Sequence, residues 1–429
     1  MLTMTNEKLL QAIRETNPWR DSTWNVEIQD RSIFDEITPY INLKQIIAIS
    51  GLRRVGKTFL LFHIIKNLLK TTQPENILYF SFDDFENIEI TTVLDAYAAI
   101  HKKMPEYLFL DEVQKIENWS EKIKRIYDIH KIKIFVSGSE SLFVRKKTKE
   151  TLAGRIFEFH LKPLSFKEYL IFKGFHKNPA MYRKELLILF DHYLLTAGFP
   201  ELISIHDKLI IRKYIKEIVM EKVIFTDIPK MFKIEDPSLL KTILDIITDS
   251  PGLIIELDNL SRELGLARQT LSKYLYYLEV AQLVKKVYNY SKNRSTSEKK
   301  LKKYYLTFPC TCLIFKEDES YLSKVIENLI VISTNADYFW RTPQKDEVDI
   351  ILEEYNKPIP IEVKYSSKIN MQTDLAGVRK FMEKYALKKA FVITKETSKD
   401  LEDIKLIPLL DFLLGVSKNE LSNPKALAN

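Results

Sequence analysis

Cysteine is nearly missing from this 429-residue chain: Cys310 and Cys312 are the only two. A disulfide framework needs more of them, and a structural zinc would need further ligands close by, which the sequence around "LTFPCTCLIF" does not offer. Both cysteines read as core residues of a strand. Glycine is also scarce, at 10 residues, while lysine and isoleucine abound, a bias that goes with a thermophile or an AT-rich genome. No uninterrupted apolar run reaches the roughly 18 residues of a membrane span. The opening "MLTMTNEKLLQAIRE" reads as an amphipathic helix rather than a signal peptide, so no membrane partner is expected and the cytoplasm is the expected compartment. Helicase motifs are absent. What is present is a globular composition, 45% hydrophobic and 29% charged, with a formal net charge of +7. That charge suits a polyanion but is modest for the length. The length itself implies several domains.

The most specific stretch is "GLRRVGKT", Gly51 to Thr58, set between the apolar runs "QIIAIS" and "FLLFHIIKNLL". The spacing matches G-x-x-x-x-G-K-[ST], a phosphate-binding loop between a strand and a helix. Gly51 and Gly56 let the backbone turn tightly and bring N–H groups onto phosphate oxygens. The helix beginning near Lys57 points its positive end at the same anion. Gly51, Arg53, Arg54, Val55, Gly56, Lys57, Thr58 and Phe59 form the expected nucleotide-binding segment. Lys57 would reach the β- and γ-phosphates, and the Thr58 hydroxyl would ligate Mg²⁺. ATP and Mg²⁺ are the expected cofactors.

Downstream, "NILYFSFDDF" reads as a strand ending in Asp83 and Asp84, which suit either the ligand side of a parallel sheet or a solvated loop. "EYLFLDEVQKIENW" carries the continuously apolar strand Tyr107 to Leu110, ending in Asp111-Glu112. In that place Asp111 would hold Mg²⁺, directly or through water, and Glu112 would orient or deprotonate the attacking water. A fourth strand, "IKIFVSGSESL", ends in Ser137 and Ser139, placed either to sense the γ-phosphate or simply to turn the chain. Arg155, in "LAGRIFEFH", is either a surface cation or a finger for transition-state charge, in its own subunit or a neighbour's.

Together, Gly51–Thr58, Asp111-Glu-Val-Gln114 with Trp119, Ser137-Gly-Ser139, Leu152-Ala-Gly-Arg155 and Pro163-Leu-Ser165 resemble the prokaryotic, mostly archaeal and bacterial, AAA+-like ATPases that carry a winged helix and a C-terminal restriction-endonuclease-like domain. The resemblance covers nearly the whole chain after about residue 30. It departs at Leu52, where that group usually has proline, and at Phe59, where a second threonine is common. It implies an ATP-dependent homo-oligomer, for which Arg155 would serve as the finger across an interface.

Residues 166 to 235 show helical periodicity, as in "KEYLIFKGF", and fit the helical lid of such ATPases. "LSRELGLARQTLSKYLYYLE" reads as helix, short turn, helix. Its Arg268, Gln269, Ser272 and Lys273 would meet phosphates or base edges if the module touches DNA, and would stay solvated if it only packs on protein. "YSKNRSTSEKKLKK" is then either a wing or a solvated loop. Farther on come Glu327 on a helix, Asp349, and the strand "IPIEVKYS" with Glu362 and Lys364 on one face. This is the D…E-x-K constellation of a PD-(D/E)XK nuclease, in which two carboxylates bind Mg²⁺ and the lysine assists the nucleophile or stabilises charge on the scissile phosphate. The same pattern also suits an ion pair on a solvated sheet face.

The expected fold class is α/β: a P-loop NTPase parallel sheet, a helical lid, a winged-helix module and a C-terminal PD-(D/E)XK-like α/β domain. The expected boundaries are 1–30 for an N-terminal helical extension, 31–165 for the ATPase core, 166–235 for the lid, 236–302 for the winged helix and 303–429 for the nuclease-like domain. The expected function is a Mg²⁺-dependent ATPase that couples nucleotide state to DNA binding or processing. The alternative is a nucleotide-dependent assembly or protein-interaction switch with an inactive nuclease-like domain.

Overall fold

Four apolar runs and the alternating stretch Ile156–His160 build the first sheet. The computed structural model describes residues 2–20, 24, 27–83, 85, 88–138, 146–299, 301–313, 319–354, 357–366 and 368–415. Ser139 and Asp84 lie outside them. The chain divides into two compact units, 1–163 and 164–429. Among the described residues no helix is long and apolar enough to cross a membrane.

In the first unit, β1 (Ile46–Ser50), β2 (Ile77–Ser81), β3 (Tyr107–Asp111), β4 (Lys133–Ser137) and β5 (Ile156–His160) pair in the order β2-β3-β4-β1-β5, all parallel. β1 is buried at every position. That is why it carries no polar alternation: helices cover both faces of a parallel sheet. The helix Lys57–Leu68 follows β1 directly and buries Leu60, Leu61, Ile64 and Ile65.

Part of the segment expected as an N-terminal helical extension packs into the core of the first unit. The helix Leu2–Glu15 places Leu9 and Ile13 in the same core as Leu78, Phe80 and Leu110. Just after it, the Asn17 carboxamide pairs with the free edge of β2. Its Nδ2 donates to the Tyr79 carbonyl at 2.9 Å, and its Oδ1 accepts from the Tyr79 N–H at 2.8 Å. One side chain thus stands in for a missing neighbouring strand.

In the second unit, nine strands among the described residues form one mixed sheet. They are β6 (Leu253–Ile254), β7 (Val284–Asn289), β8 (Lys302–Leu306), β9 (Tyr338–Arg341), β10 (Glu347–Glu354), β11 (Lys357–Lys364), β12 (Ala390–Thr394), β13 (Lys399–Asp400) and β14 (Ile404–Pro408). Their order is β13-β14-β12-β11-β10-β9-β7-β8-β6. Alternate residues of β12 face opposite cores: Phe391 and Ile393 join one cluster, Ala390 and Val392 the other.

Several of these expectations change here. The helices Phe166–Phe172 and Arg183–Thr196, expected to form a lid, belong to the second unit. Their Phe166, Tyr169, Phe190 and Tyr193 share one core with Val325, Ile361 and Phe391, so their apolar faces are occupied by that unit's own sheet. The boundary expected at 302/303 falls inside β8, which pairs antiparallel with β7, so the cut would split a hairpin. Cys310 and Cys312 are buried as expected, but in a loop after β8 rather than in a strand. The stretch read as a wing or a solvated loop holds a short helix, Arg294–Lys299.

Candidate active site

The phosphate loop lies at the carboxyl end of β1. Gly51 is required by close approach, because a Cβ there would lie 2.3 Å from the Leu161 carbonyl oxygen. Gly56 precedes the helix with φ +96°, a conformation that L side chains rarely adopt. Between them Val55 is buried, Arg53 half-buried and Arg54 exposed, while Phe59 is 61% exposed on the first helical turn. Leu52 is buried. The Lys57 ammonium turns across the loop, donating to the carbonyls of Gly51 at 3.2 Å and Leu52 at 3.0 Å. Arg31, absent from the sequence-based expectations, ties the loop to the chain after β5. It donates to Val55 O at 3.1 Å and to Lys162 O at 2.8 Å.

Asp111, 2% exposed at the end of β3, collects hydroxyls from three elements. Thr58 Oγ1 donates to its Oδ2 at 2.6 Å, Tyr79 OH to Oδ2 at 3.0 Å, and Ser137 Oγ to Oδ1. The Glu112 N–H adds a bond to Oδ1 at 3.0 Å. The strand order explains the convergence: β4 lies between β1 and β3, so Ser137 sits between the loop and Asp111. These are hard oxygen donors, one carboxylate with hydroxyls beside a phosphate loop, and they fit Mg²⁺, which takes one or two carboxylates and completes its shell with water and phosphate. Tyr79 is a further functional side chain that periodicity does not single out, because its strand is buried throughout except at Ser81. Burial, and then the neighbouring Asp111, push its phenol far above its usual range, so it remains a donor.

Glu112 adopts φ 55° and starts the short turn Val113–Lys115. Its carboxylate accepts a hydrogen bond from Gln114 Nε2. Burial raises its pKa, with Lys57 opposing and Asp111 and Asp83 assisting. A carboxylate held more basic than usual beside a phosphate loop is suited to take a proton from water. Asp83 itself is exposed and paired with Lys115 at 2.6 Å.

Arg155 does not join this site within its own chain. The Ile46 N–H donates to the Arg155 carbonyl at 2.7 Å, which puts Arg155 at the start of β1 while the loop leaves the other end. Those ends are about 13 Å apart at roughly 3.3 Å per residue. Its side chain pairs with Asp128 at 3.0 Å.

In the second unit, Glu327, Asp349, Glu362 and Lys364 do converge. The Val363 N–H donates to Asp349 Oδ2 at 2.9 Å, the Asp349 N–H to Glu362 Oε2 at 3.3 Å, and Lys364 Nζ lies 2.7 Å from Glu362 Oε1. A second lysine enters the cluster. Lys303 Nζ is 2.9 Å from Glu327 Oε1, 2.5 Å from Glu347 Oε1 and 3.8 Å from Asp349 Oδ1. Burial works against its charge, but Glu327, Tyr305, Asp349 and Glu347 outweigh it and hold Lys303 well above its ordinary pKa. Burial, then Glu362 and Glu327, push Asp349 well up. Among the described residues, no group of three or more His, Cys, Asp or Glu is arranged to hold a metal ion. The expected Mg²⁺ does not fit this cluster as built, because ammonium and backbone N–H groups already engage its carboxylates. Sequence reading missed Lys303 because "KKLKKYYL" looks like a solvated lysine run.

The helix Arg268–Val280 buries Leu271, Tyr274, Leu275 and Leu278. Arg268, Gln269, Ser272 and Lys273 all lie on its exposed side, joined by Tyr276 at 47% exposure. Arg268 also lies 3.4 Å from Asp258.

Residues 43–170 match the family described as AAA domain. Residues 188–307 match a domain of unknown function (DUF8612), and 320–412 another (DUF4143). The chain is 28% identical to an uncharacterized protein of Methanocaldococcus jannaschii over 78% of each chain. A second uncharacterized protein of that organism is 26% identical over 96% of this chain and 95% of its own. An uncharacterized protein of Haemophilus influenzae is 29% identical over 56% of this chain and 62% of its own. Among solved structures, Cdc6p from Pyrobaculum aerophilum covers 72% of this chain and 97% of its own at 13% identity, with a TM-score of 0.31. The first unit has the parallel α/β sheet of a P-loop NTPase and is similar to the AAA domain family over residues 43–170.

Proposed function

We propose that the first unit binds and hydrolyses ATP with Mg²⁺, and that the chain couples its nucleotide state to DNA binding through the second unit. The observation that carries the ATPase reading is the gathering of the Thr58, Tyr79 and Ser137 hydroxyls on Asp111 beside the Lys57 loop. Lys57 leaves the loop carbonyls for the β- and γ-phosphates, exchanging neutral acceptors for charged ones. Thr58 and Asp111 would hold Mg²⁺, which neutralises charge on the phosphates when bound. Glu112 orients the attacking water and takes its proton, and Ser137 keeps the Asp111 carboxylate in place.

The DNA reading is supported by element order. From residue 237 the chain runs helix Pro237–Asp249, β6, helix Leu257–Glu263, helix Arg268–Val280, β7, the short helix Arg294–Lys299, β8, which apart from that short helix is the order of a winged helix. In that reading the exposed Arg268, Gln269, Ser272 and Lys273 contact phosphates or base edges, and Tyr276 adds an aromatic face among them. A nucleotide-dependent protein-interaction switch is the second reading, favoured by the metal-unfit cluster around Lys303.

Two variants test the ATPase. Lys57→Ala is expected to lose tight ATP binding, because Lys57 contacts phosphate in the ground state. Glu112→Gln is expected to keep binding and lose about 10²–10⁴-fold in turnover, the usual worth of a general base. Equal turnover in wild type and Glu112→Gln would remove Glu112 from the mechanism.

A further inference from the structure

A divalent ion of the Mg²⁺ type requires oxygen ligands at about 2.0–2.1 Å in near-octahedral array, and it gives up its water reluctantly. In the second unit the oxygens that would supply such a shell already converge on one nitrogen. Glu327, from the helix Glu319–Thr334, and Glu347 and Asp349, both from β10, all face Lys303 Nζ within 3.8 Å. Four further carboxylate oxygens have partners too. Lys364 takes Glu362 Oε1, the Asp349 N–H takes Glu362 Oε2, the Val363 N–H takes Asp349 Oδ2, and Arg341 takes Glu347 Oε2 at 2.6 Å. Four carboxylates therefore face three side-chain cations, which leaves little charge for an ion to neutralise.

Lys303 is also anchored where it stands. β8 runs between β7 and β6, and Lys303 is paired with Val287 on one side and Ile254 on the other. Its side chain is 5% exposed and its ammonium lies 5.3 Å from the centroid of the Phe339 ring. Tyr305, two residues on along the same strand face, is fully buried and donates to Glu327 Oε1 at 2.5 Å. Gly252 closes the cluster from behind: a Cβ there would meet the Tyr305 ring at 2.9 Å and Glu327 Oε1 at 3.3 Å.

We propose that Lys303 is a built-in cation standing where a divalent ion would bind among Glu327, Glu347 and Asp349, while Lys364 and a backbone N–H hold the neighbouring Glu362, so that the second unit takes up neither Mg²⁺ nor Mn²⁺ there and does not cleave phosphodiesters. The nuclease-like pattern of residues is then an ion-pair lock joining β8 to β10, β11 and the helix Glu319–Thr334. The ATPase reading is independent of it, because the readouts are metal content and DNA integrity rather than nucleotide turnover.

The experiment uses the full chain without nucleotide, titrated with Mn²⁺, with free ion followed by electron paramagnetic resonance. Wild type and Asp349→Asn/Glu362→Gln are expected to take up the same amount. Lys303→Met is expected to gain about one ion per chain, lost again when Asp349→Asn is added, because a carboxylate cluster without its ammonium becomes an oxygen site. The proposal is overturned if wild type binds more Mn²⁺ than Asp349→Asn/Glu362→Gln, or if folded Lys303→Met gains none. It is equally overturned if wild type with Mn²⁺ nicks supercoiled DNA and Glu362→Gln does not. Should Lys303→Met fail to fold, the wild-type comparison and the nicking assay decide alone.

Discussion

At the scale of single residues, the chemistry turns on how Glu112 is held. Its carboxylate must be ionised to accept a proton, and burial raises its pKa above the ordinary glutamate value of about 4.3. ATP turnover should therefore fall as pH drops through that raised value, with an acid limb above the usual carboxylate range. The hydrogen bond from Gln114 favours the ionised form. Gln114→Ala should move the acid limb to still higher pH while leaving ATP affinity unchanged, and a kcat profile in both proteins measures it. A limb that does not move would limit Gln114 to packing. Arg155 belongs to this scale too: "LAGR" before an alternating strand suits a finger or a surface cation, and the register of β5 on β1 sets it at the far end of the sheet from the phosphate loop of its own chain, which leaves a surface cation or a finger for a neighbour's site. Register is a tertiary fact that a motif does not carry.

At the scale of elements, local patterns were legible where one strand or one turn carried the signal. The phosphate loop, the apolar strand ending in Asp111-Glu112, and the alternation of "IPIEVKYS" could each be read without knowing any neighbour. Contacts made across elements could not. Tyr79 reaches Asp111 from β2, Asn17 reaches Tyr79 from beyond the first helix, and Lys303 reaches Glu327 from a strand that looked like a solvated run. The helices of 166–196 show helical periodicity, but periodicity says only that an apolar face exists, not which sheet it covers. Asn17 offers a direct test. It is 1% exposed and satisfies both backbone groups of Tyr79 on the edge of β2. Asn17→Ala leaves a buried N–H and C=O without their partner and should cost about 1–3 kcal/mol, read by chemical denaturation. A loss within about 0.5 kcal/mol, as for an ordinary surface change, would show that the edge is satisfied otherwise.

At the scale of the whole molecule, the claim is that ATP in the first unit changes what the second unit does with DNA. The measurement is DNA affinity by gel shift at moderate salt, in a Glu112→Gln background so that bound ATP persists, with and without ATP. Such coupling predicts an affinity change of about 5–150-fold, the range of a coupling free energy of 1–3 kcal/mol. It predicts further that Lys273→Ala weakens binding with and without ATP and lowers the salt slope by about one. DNA affinity that is the same with and without ATP, or that does not depend on Lys273, would contradict it and leave a nucleotide switch acting on other partners.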